Sequence, residues 1–406
     1  MDDKNHRHRR DGSKTRPSGA LRERWSRLFA GGYGVAPLAA NLTLVGRTLL
    51  SGLLAFFSQC FLWRRRGPQS RPFLARSVPL LSIALSFALS GCAGTRSRET
   101  SPGFAPNAIL EVVAVIDDAF LRRSSSSHVT SEGEPMLAAP VSIALPVASQ
   151  NGSLVVADRQ VGRILQINDA GTLVNDAVVS GGGGLAASRP PRFVRLDLGD
   201  NLYICDGDAG HAVIYDSRLR PAGDLTPPYD ALGVAGGTIT GLALGAFGEI
   251  YLVDGINGRV YRFDASGRFL AGFKGDESGW ARLSRPAGAA CAEADGSVYV
   301  CDPGQSRVVV FDNSGAPRRS FGESELSEPV AVALDRRGQA YVADTKARAI
   351  LVFDTSGGLI GRIDGGNLGV APLGGPTDVA VADSLLYVAD PPTGRVLKIR
   401  MRNADH

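Results

Sequence analysis

The sequence predicts an all-β fold: a six-bladed β-propeller built from four-stranded antiparallel blades. Three observations carry this. A strand ending in aspartate recurs six times, as "LVVAD", "LYICD", "IYLVD", "VYVCD", "AYVAD" and "LYVAD". Its aspartates are Asp158, Asp206, Asp254, Asp302, Asp344 and Asp390, spaced by 48, 48, 48, 42 and 46 residues. Each repeat also alternates apolar and polar residues at period two, with 50 glycines in the chain available for turns.

Each unit contains the same parts. A small apolar strand comes first, from "PVSIAL" (Pro140) and "PRFVRL" (Pro191) to "PVAVAL" (Pro329) and "PTDVAV" (Pro376). The aspartate strand follows. Five residues after the aspartate there is usually an arginine: Arg163, Arg259, Arg307 and Arg395. That arginine opens a third strand such as "RVYRFD" or "RVVVFD", and a turn at Gly267, Gly315 or Gly357 leads into a short fourth. Four antiparallel strands in about 46 residues make one propeller blade. The sixth unit ends at "VLKIRMRNADH" without a fourth strand, while a spare β-like run, "NAILEVVAVIDDAF" (Asn107–Phe120), precedes the first. The expectation is that this run completes the sixth blade and closes the ring, and that the Ser-rich segment after it is a connecting loop.

Charge divides the chain. Up to Arg76 there are 15 Lys/Arg against 4 Asp/Glu; from Ser77 onward there are 29 against 36. The acidic remainder gives no electrostatic reason to bind nucleic acid. Residues 1–70 read as a basic, largely disordered head with one apolar segment, Thr48–Trp63, that at 16 residues is short for a membrane span. A second apolar run, Val78–Leu89, is 12 residues long, follows Arg71 and Arg76, and closes on Leu89-Ser90-Gly91-Cys92. This length suits the apolar core of an export signal better than a spanning helix.

The tetrad resembles the lipobox of bacterial lipoproteins. That resemblance implies a signal over 71–92, lipidation of Cys92, a flexible tether over 93–106 and attachment to a bacterial membrane facing the periplasm or exterior. There is no Met between Met1 and Met136. A non-AUG start near Leu62 would leave a conventional signal, with residues 1–61 as an over-long extension.

The repeat pattern itself, P-x-x-V-A-V followed by Y-V-A-D-x-x-x-x-R-V-x-V-F-D-x-x-G, resembles the NHL repeat over residues 107–402. Two units depart from it: His211 stands at the arginine position of the second, and Ala349, with Arg348 one place early, at that of the fifth.

The aspartates lie one per blade and are expected to accept hydrogen bonds from the following turn, with the arginine placed to pair. "GGGG" at Gly181–Gly184 has no following Lys-Ser/Thr and reads as a connection, not a phosphate loop. The five cysteines do not make a disulfide framework; Cys205, Cys291 and Cys301 are expected to be buried apolar side chains, with Cys291 and Cys301 as the one pair that a hairpin could oppose. Histidine is scarce: His211 stands alone among the repeats, which argues against multi-histidine zinc lyases and against a Ser-His-Asp triad.

Propeller sites usually gather around the axis where the innermost strands begin. Aligned on the aspartates, that ring reads Ser142, Phe193, Gly241, Gly288, Ala331 and Asp378: mostly small, with one carboxylate. No catalytic residue, metal ligand or cofactor is expected from it. The less repetitive Arg192, Arg195, Arg285 and Asp378 are the candidate ligand surface. The expected function is a non-catalytic module for a protein, peptide or glycan partner, anchored to a membrane through Cys92 and accessory to an envelope complex. The alternative is a metal-dependent hydrolase or lyase of the lactonase-like six-bladed type.

Overall fold

The computed structural model describes residues 108–125, 134–146, 154–168, 170–178, 190–205, 210–275 and 279–402. The tetrad Leu89–Cys92, the head, the tether, Gly181–Gly184 and Asp206 lie outside the described residues.

Six four-stranded antiparallel sheets form a six-bladed propeller. Blade 3 is representative, with strands Ile239–Leu244, Ile250–Asp254, Arg259–Phe263 and Phe269–Phe273 from the axis outward. Each strand is about five residues long, and its inward and outward faces carry Val, Ile, Leu, Tyr and Phe, because each blade is covered on both sides by its neighbours. The apolar core is therefore divided into clusters between successive blades. Tyr261 and Leu252 pack toward blade 2, and Tyr251 and Val253 toward blade 4.

The turns follow from residue chemistry. Between the third and fourth strands of blades 3, 4 and 5, an aspartate side chain accepts the N–H groups two and four residues on, and glycine takes φ of +81°, +89° and +91° at Gly267, Gly315 and Gly357. An L side chain at that φ is strained, which explains why glycine recurs there.

Closure is as the spare strand implied. Ile109–Ile116 pairs antiparallel with Arg395–Arg402, in a sheet ordered from Ile109–Ile116 through Arg395–Arg402 and Leu385–Asp390 to Asp378–Ala382. The chain's first described strand thus completes the last blade, and the innermost strand of blade 6 packs beside that of blade 1.

The structure differs in one local respect. The strand stops at Ile116, and Asp118–Ser124 is a short helix. Asp117 caps it by accepting the Phe120 N–H at 2.7 Å, a start signal that the alternating pattern before it obscured. Leu121 of this helix is fully buried between blades 6 and 1, so the segment seals the closing seam.

The three described cysteines are free. Cys291 lies opposite Val298, and Cys301 donates its N–H to Gly288, so the register separates the two thiols along the hairpin. Burial pushes both thiols up. Among the described residues no helix is long and apolar enough to cross a membrane.

Candidate axial site

Strand register places the six predicted ring positions at one level of the axis. Ser142, Phe193, Gly241, Ala331 and Asp378 lie opposite Ala157, Cys205, Val253, Ala343 and Ala389, each the residue before the repeat aspartate or its position. Gly288 holds the same place opposite Cys301.

The two halves of this ring are filled differently. Along blades 3, 4 and 5, backbone meets backbone. A Cβ on Gly241 would stand 2.3 Å from the Ala287 carbonyl oxygen, and one on Gly288 would stand 2.6 Å from that of Val330. Gly288 N–H donates to the Val330 carbonyl at 2.8 Å. Glycine is required by this close approach.

Along blades 6, 1 and 2, the space is filled by a polar cluster. Asp378, on the innermost strand of blade 6, is fully buried. Its Oδ2 accepts from Arg195 Nη1 at 2.8 Å, Ser142 Oγ at 2.5 Å and the Ile143 N–H at 3.0 Å. Its Oδ1 accepts from Arg195 Nη2 at 3.1 Å and the Val379 N–H at 2.9 Å. Ser142 Oγ in turn accepts the Val194 N–H at 3.1 Å, and Arg195 Nη1 also donates to the Val194 carbonyl at 2.8 Å. One carboxylate thus joins three blades.

The physical chemistry of this arrangement is clear. A buried carboxylate is costly unless its charge is matched and its lone pairs are filled. The bidentate guanidinium supplies both, and it is the strongest pairing geometry available to a carboxylate. A carboxylate offers about four lone-pair sites. Asp378 receives five donors from its own chain, which fills those sites.

Arg195 also faces a cavity. On the axis, the later halves of all six innermost strands enclose about 230 Å³, lined by small and apolar side chains with Arg195 as the single charged residue. The cavity lies toward the end where those strands finish, not where they begin. Its walls, including Ala243, Ala290, Val332 and Ala380, provide shape and apolar surface but no acid–base pair.

Of the four residues expected at a ligand surface, Asp378 and Arg195 are brought together. Arg192 and Arg285 are not: both are exposed, and Arg285 stands a loose 3.9 Å from Glu328. Ser142, which completes the cluster, is the other polar side chain of the predicted ring, and that was its signal in the sequence.

The repeat aspartates tie loops together. Asp158 accepts the N–H groups of Ala138 and Ala139 before its blade and of Gln160 and Val161 after its strand. Asp254, Asp302, Asp344 and Asp390 bind the same two segments in their own blades, from one or both sides. The arginines behave less uniformly than expected. Arg395 reaches Asp390 at 3.4 Å and Arg307 approaches Asp302 at 3.9 Å, whereas Arg163 pairs with Glu134 and Asp176 instead. Arg259 makes no ion pair among the described residues. His211 is partly buried at its arginine position. Among the described residues, no three His, Cys, Asp or Glu side chains are grouped as a metal site.

No protein-family profile matches the chain, and no curated protein matches it in sequence. Solved structures do resemble it in fold. A streptogramin B lyase superposes with a TM-score of 0.51 at 11% identity, covering 74% of this chain and 100% of its own. A protein of unknown function from Bacteroides thetaiotaomicron gives 0.54 at 15% identity, covering 73% and 76%. A gluconolactonase from Xanthomonas campestris gives 0.49 at 18% identity, covering 65% and 86%. The neighbours include enzymes; at these identities the likeness is one of fold.

Proposed function

We propose that this chain is a non-catalytic binding module, an NHL-type propeller tethered outside the cytoplasm by a lipid on Cys92. The observation that carries the non-catalytic part is the saturation of Asp378. The one carboxylate at the predicted ring is consumed by Arg195, Ser142 and two backbone N–H groups, beside an apolar cavity. Such a centre braces blades and has no group poised to accept a proton or hold an activated water. A rigid scaffold with loops on two faces suits recognition of a protein, peptide or glycan.

The anchoring part rests on the tetrad Leu89-Ser90-Gly91-Cys92, its basic flank and its apolar run. Each buried CH₂ of an acyl chain contributes about 0.8 kcal/mol, so two or more chains hold a propeller firmly at a bilayer. The anchoring part is tested by expressing the chain and its Cys92→Ala variant in a bacterial host and fractionating membranes. Wild-type protein is expected in the membrane fraction and the variant in the soluble one. Equal, tight membrane association of both would overturn the anchor, and crosslinking of the wild type in membranes identifies the partner.

A further inference from the structure

The two ends of the propeller differ in the apolar surface they expose. Among the described residues nine large apolar side chains are exposed, and six of them lie toward the end where the innermost strands finish. Phe247 and Leu198 stand on the turns that follow the innermost strands of blades 3 and 2. Ile109, Val174, Leu270 and Leu359 lie at or next to the starts of outermost strands, which begin at this end because the four strands of a blade alternate in direction. The repeat-aspartate end exposes Ile256 and Trp280, and Val113 is mid-strand.

Phe247 and Leu198 are the most projecting of the six, 86% and 62% exposed on neighbouring blades. Nothing in the turn calls for an aromatic. Its bonds are backbone ones, from the Gly245 N–H to the Glu249 carbonyl and from the Gly248 N–H to the Gly245 carbonyl. The turns of blades 2 and 5 make the same two bonds, with Gly199 and Arg337 at the place of Phe247. A benzyl group held in water at the tip of a turn gains by leaving water, and the fold offers it nowhere to go. The matching turn of blade 1 lies outside the described residues.

Two observations say what covers this end. The chain enters the propeller here: Ala382, the last residue of blade 6's innermost strand, is level with Leu385, Arg400 and Glu111, and Ile109 lies two residues beyond that level. Fifteen residues lie between Cys92 and Ala108, the first described residue, a length that spans at most about 55 Å. A lipid on Cys92 therefore holds the propeller close to a bilayer by a strand that joins it at this end. Charges around the two tips are also matched within the protein, since Asp216 pairs with Arg220, Asp264 with Arg268 and Glu249 with Arg262. These pairs need no counter-ion from a partner, which suits an apolar contact with lipid.

We infer that the end of the propeller where the innermost strands finish docks on the lipid bilayer, with Phe247 and Leu198 inserted at the boundary between headgroups and acyl chains. The repeat-aspartate end then faces away from the membrane, open to the partner. This rests on the reading of the chain as lipid-anchored, and adds to it an orientation.

The test uses the full chain in two single-tryptophan forms. One, Trp25→Phe/Trp63→Phe, keeps Trp280 at the far end; the other adds Trp280→Phe and Phe247→Trp. Each is reconstituted into phosphatidylcholine vesicles with plain or brominated acyl chains, and vesicle-bound protein is collected by flotation. In the second form the indole at position 247 is expected to emit at shorter wavelength on vesicles and to lose most of its emission to the brominated lipid. Trp280 is expected to do neither. Added salt is expected to leave the quenching unchanged, because the contact is apolar. Equal melting temperatures of both forms and the wild type show that the fold is intact. Floating protein whose indole at position 247 is unquenched, or in which Trp280 is quenched equally, would overturn the docking face and leave the anchor standing. Loss of the quenching in high salt would overturn insertion of apolar side chains. Failure to float is a failure of the anchor itself, and overturns the face with it.

Discussion

Asp378 of blade 6 and Arg195 of blade 2 meet at the axis in a bidentate ion pair, at 2.8 and 3.1 Å, with blade 1 contributing Ser142 and Ile143 between them. The residues are far apart in sequence, so the contact forms only when the ring has closed. It is a reporter of closure as well as a brace.

Breaking this pair from one side leaves a buried or half-buried charge without its partner. Asp378→Asn is expected to destabilise the propeller by about 3 kcal/mol, and Arg195→Met by a similar amount, because removal of one partner of a buried pair typically costs about 3–5 kcal/mol. The double variant should lose less than the sum. Urea unfolding of the four proteins checks this; strict additivity would show that the two side chains are not coupled.

Closure through the first described strand makes a second prediction. Glu111 and Arg400 are direct cross-strand partners, and such Cα atoms lie at separations of about 4.5–5.5 Å, within disulfide range. A Glu111→Cys/Arg400→Cys protein should oxidise to a crosslinked form and gain about 2–4 kcal/mol against denaturant. Failure of the two engineered thiols to crosslink under oxidation would contradict the observed blade.

The turn aspartates supply a pH prediction. Asp264 accepts the Ser266 hydroxyl at 2.6 Å and the Ser266 and Arg268 N–H groups at 3.0 Å, and these bonds hold its carboxyl at about 2. Asp216, which Arg220 binds through both side chain and backbone, is likewise held at about 2. Unfolded aspartates titrate near pH 3.9. The folded state therefore binds fewer protons between about pH 4 and pH 2, so the contribution of these turns is fully present above pH 4 and is lost as pH falls through 2. Carboxyl carbon NMR titration should give Asp264 a midpoint near 2, moved toward the ordinary value by Ser266→Ala.

Much of this was legible in the residues. Period-two alternation, the fixed place of the aspartates and the glycine turns all report local geometry, so they specified the six blades and the closing strand. Asp378 and Arg195 each stood out by breaking the repeat. Their pairing was not legible, because it depends on the ring bringing blades 6, 1 and 2 to one point. The cavity's place was not legible for a related reason: the ring where the strands begin is filled by the close backbone approach at Gly241 and Gly288 and by the Asp378 cluster, and the open space lies toward the strands' other end.

The most direct test of the central claim is a combined metal and turnover measurement on the purified full chain. The protein is equilibrated with calcium and with zinc, its bound metal is quantified by elemental mass spectrometry, and lactone and ester hydrolysis are followed in the same samples. A saturated Asp378 predicts no stoichiometric metal and no turnover above the protein-free rate. One equivalent of metal, with turnover abolished by Asp378→Asn, would contradict the reading of this propeller as a non-catalytic module.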